Sequence, residues 1–63
     1  MKSKYNMIIK AILKAEGIDV DPHRVMTQVE KQNDCSFGQL KVDTAILECI
    51  QAGIYLENLA QHV

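Results

Sequence analysis

Cys35, Cys49, His23 and His62 are the side chains with the most chemistry to offer, and their spacing offers little. The cysteines stand fourteen residues apart with no C-x-x-C pairing, and the histidines are far from them in sequence. They read as two free, part-buried thiols in a reducing compartment, not as a disulfide framework or a zinc site. His23 and Cys35 could be imagined as a Cys–His pair, but nothing orients an imidazole on that thiol or implies an oxyanion site. His23 is expected in the exposed first turn of a helix. Asp19, Asp21 and His23 alternate through a turn as metal ligands sometimes do. A calcium loop, however, needs more oxygen donors and a closing Glu at fixed spacing, and Asp21 is accounted for as a helix cap. Gly-rich phosphate loops, H-E-x-x-H and G-x-S-x-G are absent from the sequence. The expectation is a protein that is not an enzyme, with no metal and no cofactor.

The cations are the next candidates. Lys2, Lys4, Lys10 and Lys14 fall in residues 1–15 without a single acid, whereas residues 16–63 hold three cations against eight acids. Lys10 and Lys14 share one helix face, with Lys4 near its edge, and such a cluster can contact phosphates. Arg24 would join them from a second helix. Lys4, Lys10, Lys14 and Arg24 are therefore the candidate nucleic-acid contacts. Against this stand a net charge of −1 and the presence of one arginine only, since nucleic-acid modules are often strongly basic and arginine is the commonest base reader. Leu13–Ile18 has the Gly-plus-aliphatic turn of a helix-turn-helix, but Asp19-Val20-Asp21-Pro22 stretches the connection and the second helix starts on an acidic cap. Ile12–Val29 is loosely similar to the helix pair in the dimerising region of archaeal-type acidic ribosomal stalk proteins. Gly17, Ile18, Val20, Asp21 and Val25 carry that similarity through generic turn and cap chemistry. The second half of the chain does not follow the family, and membership is not adopted.

The elements that must position these residues are helical. The chain has 63 residues, 48% of them hydrophobic and 24% charged, which indicates one globular domain. Periodicity predicts helices over about 3–16, 22–32 and 37–61. Tyr5, Ile8, Ile9, Ile12 and Ala15 share a face of the first, with Leu13 at its margin, and Gly17 ends it as a left-handed cap. Asp21-Pro22 starts the second, whose narrow stripe is Val25, Met26 and Val29. Ser36-Phe37-Gly38-Gln39 fits a capping box for the third. Gly38 and Val42-Asp43-Thr44 are the weak points in continuing that helix from Phe37. Gly53 in its interior implies a close backbone approach.

The third helix is apolar on two sides. Leu40, Ile46, Leu47, Ile50 and Ile54 form one stripe, for which the first two helices supply covers. Val42, Ala45, Cys49, Ala52, Leu56, Leu59 and Val63 form the other, with Gly53 in a row between the two, and Ala45, Cys49, Ala52, Gly53, Leu56, Leu59 and Val63 are the expected dimer-interface residues. A domain of this size buries only about 60% of its unfolded surface, so self-association is a natural supplement. Twofold dimers are the commonest soluble oligomers. No apolar run approaches the roughly 20 residues that span a membrane, and no signal peptide is visible.

The expected fold is all-α: two short helices packed on a long C-terminal helix, as a homodimer. The expected function is a small, cytoplasmic, non-enzymatic regulatory module that dimerises through that helix and docks on another protein. The alternative is a small DNA-associated regulator using the lysine face of the first helix.

Overall fold

The computed structural model describes residues 3–61. Its α-helices are α1 (Ser3–Ala15), α2 (Pro22–Asn33) and α3 (Val42–Gln61), with a short 3-10 turn at Phe37–Gln39 before the last. No strand occurs among the described residues.

Local chemistry sets the helix ends. Gly17 adopts φ 71°, the left-handed conformation that a Cβ disfavours. It lets the Ile18 N–H donate to the Leu13 carbonyl at 2.9 Å and its own N–H donate to Lys14 at 3.1 Å. This is the Schellman closure. Ile18 is thereby folded back into the core. At the start of α2, the Asp21 carboxylate accepts the His23 N–H at 3.3 Å, and Pro22 holds the first helical position. The helix closes on Asp34 at φ 54°, whose N–H donates to the Glu30 carbonyl.

The third segment departs from the expected continuous helix. After the 3-10 turn the chain straightens at Leu40 (φ −80°, ψ 145°), and α3 begins only at Val42. The Ser36 side chain makes no capping bond. Instead, the Phe37 N–H donates to the Glu30 carboxylate at 2.8 Å, tying the turn to α2. The Phe37 ring is buried and meets Tyr5 edge-on, with centroids 5.5 Å apart. A tertiary bond and a buried ring thus outweigh the local capping pattern.

α1 and α3 run in the same direction. Tyr5 lies beside Phe37 and Gly38 at one end, and Leu13 lies against Gly53 at the other. A methyl group added at Gly53 would stand 2.7 Å from Leu13 Cδ2 and 3.2 Å from Ile18 Cγ2, so the helices meet there backbone to side chain. α2 returns along α3. The Asp19 N–H donates to the Glu57 carboxylate at 3.3 Å before α2, and Asn33 Nδ2 donates to Glu48 Oε1 at 3.3 Å at its end.

The core is Ile9, Leu13 and Ile18, then Val25, Met26 and Val29, closed by Phe37, Cys49, Ala52 and Leu56. This reverses the expected orientation of α3. Cys49, Ala52, Gly53 and Leu56, expected at a dimer interface, are buried inside the chain's own core. Ile46, Leu47 and Ile54, expected as core, are exposed. The reason is volume. The large side chains of α1 and α2 already fill the interior, and the side of α3 that fits against them at native density is the one made of small residues. The stripe on α1 is likewise covered along one edge only: Ile9 and Leu13 are buried, while Tyr5 and Ile8 remain exposed.

Candidate interaction surface

The uncovered edge of α1 and the uncovered side of α3 adjoin. Between them lies an open cleft of about 480 Å³. Tyr5, Ile8 and Ile12 form its α1 wall, and Val42, Ala45 and Ile46 form its α3 wall. Phe37, Gly38 and Leu40 close one end. The break at Leu40 shapes that end, because the extended residue carries the chain from the buried Phe37 out to the start of α3. The Tyr5 hydroxyl fills the space where a Cβ at Gly38 would stand, 2.6 Å away. The apolar surface continues over α3 beyond the cleft. Leu47 is 60% exposed, Ile54 47% and Val42 74%, with Ile8 at 48% on the facing helix. Single exposed aliphatics are ordinary, but a set gathered along two neighbouring helices is a larger open apolar surface than scattered exposure gives.

The other expected interface residues are dispersed. Ala45 is half-buried in the cleft wall, Leu59 is exposed toward the end of α3, and Val63 lies outside the described residues. Leu59 and Tyr55 form a smaller apolar pair away from the cleft. Periodicity assigns Tyr5, Ile8 and Ile46 to the core side, and the structure leaves them exposed together with Val42. The signal that could have found them is side-chain size, since the side of α3 holding Gly53 and Ala52 is the one able to accept close neighbours.

Lys4, Lys10, Lys14 and Arg24 are all exposed. Lys10 shares a shallow crevice of about 300 Å³ with Asn6, Met7, Asp21 and Pro22. Arg24 follows in the same first turn of α2. Arg24 does not line that crevice, whereas Asp21 does, so the cation Lys10 has an acid rather than a second cation beside it. Lys4 sits at the far end of α1, beside Tyr5.

The chemistry-bearing residues are not assembled. His23 and Cys35 flank opposite ends of α2, a 12-residue helix about 18 Å long at 1.5 Å per residue. Asp21 is engaged as a cap, and no group of His, Cys, Asp and Glu among the described residues is arranged to hold a metal ion. Both cysteines are free thiols. Burial pushes the Cys49 thiol up from 9.0 to about 11, with the neighbouring Glu48 carboxylate adding to the shift. It is a packing residue rather than a nucleophile. No described helix is long and apolar enough to cross a membrane.

Compared with protein-family models, curated proteins and solved structures, the chain matches none.

Proposed function

We propose that this chain is a small, non-enzymatic interaction module of the cytoplasm that forms a homodimer and docks on another protein. The observation that carries the reading is the contiguous open apolar surface of α1 and α3 on a chain that otherwise closes a core. Fully burying an aliphatic or aromatic side chain is worth about 1.5–3 kcal/mol. Ile8, Val42, Ile46 and Leu47 left in water therefore represent a substantial unused driving force for association. The self-association surface lies on the Ile46 side of α3, not on the Cys49 side. Tyr55 and Leu59 provide a separate apolar contact for a second protein.

Sedimentation equilibrium at micromolar concentration tests the reading. The wild-type chain should sediment as a dimer. Ile46→Asp, at an exposed position, should give a monomer with unchanged helical circular dichroism. A wild-type monomer across the whole concentration range, with no effect of Ile46→Asp, would sink it. Lys10→Glu with Lys14→Glu separates this reading from a DNA-associated one: dimerisation should survive, whereas duplex binding at low salt would be lost if the lysine face were the working surface.

A further inference from the structure

We draw no further inference here: the strongest candidate, the open apolar cleft between α1 and α3 walled by Tyr5, Ile8, Val42 and Ile46, carries none because nothing in the structure shows what covers it.

Discussion

The two sides of α3 both carry apolar residues, the outward one the more strongly, and they are opposite in fate. One side, Cys49, Ala52, Gly53 and Leu56, is enclosed by α1 and α2; the other, Val42, Ile46, Leu47 and Ile54, faces outward. What separates them is shape. Small residues create a groove into which Leu13 and Ile18 insert, with Leu13 Cδ2 2.7 Å from where a Gly53 Cβ would be. Branched and long side chains hold a neighbouring helix further away, and among the described residues α1 and α2 leave them uncovered. In a small bundle, then, the bulkier stripe need not be the core stripe.

Truncation on each side gives the largest contrast. Leu56→Ala should cost about 2–5 kcal/mol, a large part of the roughly 3–9 kcal/mol that a domain of this size holds. Leu47→Ala, measured at concentrations where the chain is monomeric, should stay within about 0.5 kcal/mol. Urea unfolding of the two variants reads the difference, and equal losses would erase the distinction between the sides. A narrower probe is Gly53→Val, which overpacks the contact with Leu13 and Ile18 and should lose about 1–3 kcal/mol. The same change at Ala60, which is exposed, should cost only helix propensity, a few tenths of a kcal/mol. Thermal melts that rank the two the other way would place the close approach elsewhere.

The smallest effect is a pH dependence on the enclosed side. The Cys49 thiol is raised in the folded chain from 9.0 to about 11. Between those values the folded state retains a proton that the unfolded state has released, so stability falls as pH rises through that window. The informative quantity is the difference from Cys49→Ala, whose stability should decline less between pH 9 and 11. Identical declines would mean that the thiol does not feel the interior.

Much of the helical framework was legible because it is local. Gly17 and Asp21-Pro22 act through their own backbone geometry, and the α2 stripe of Val25, Met26 and Val29 is buried as its spacing suggests. Gly53 signalled a close approach, and Leu13 and Ile18 make it. The break before α3 was legible as weak points at Gly38 and Val42-Asp43-Thr44, but its placement at Leu40 was not, since the Phe37 N–H is held by Glu30 seven residues back along the chain. Nor was the orientation of α3. Periodicity gives the angular positions of apolar residues, but which side faces inward depends on the volumes that α1 and α2 present. The surface was legible only as an excess of apolar residues, and its location followed from that orientation.

The cleft walls come from α1 and α3, which α2 separates along the chain. A polypeptide emerging from synthesis can form α1, its Schellman turn and α2 from near neighbours, but it has no cleft until α3 docks. The surface is therefore absent from any partly folded chain, and a partner that reads both walls recognises only the completed fold. Mass action then couples that recognition back to folding, since whatever binds the cleft stabilises the native state alone.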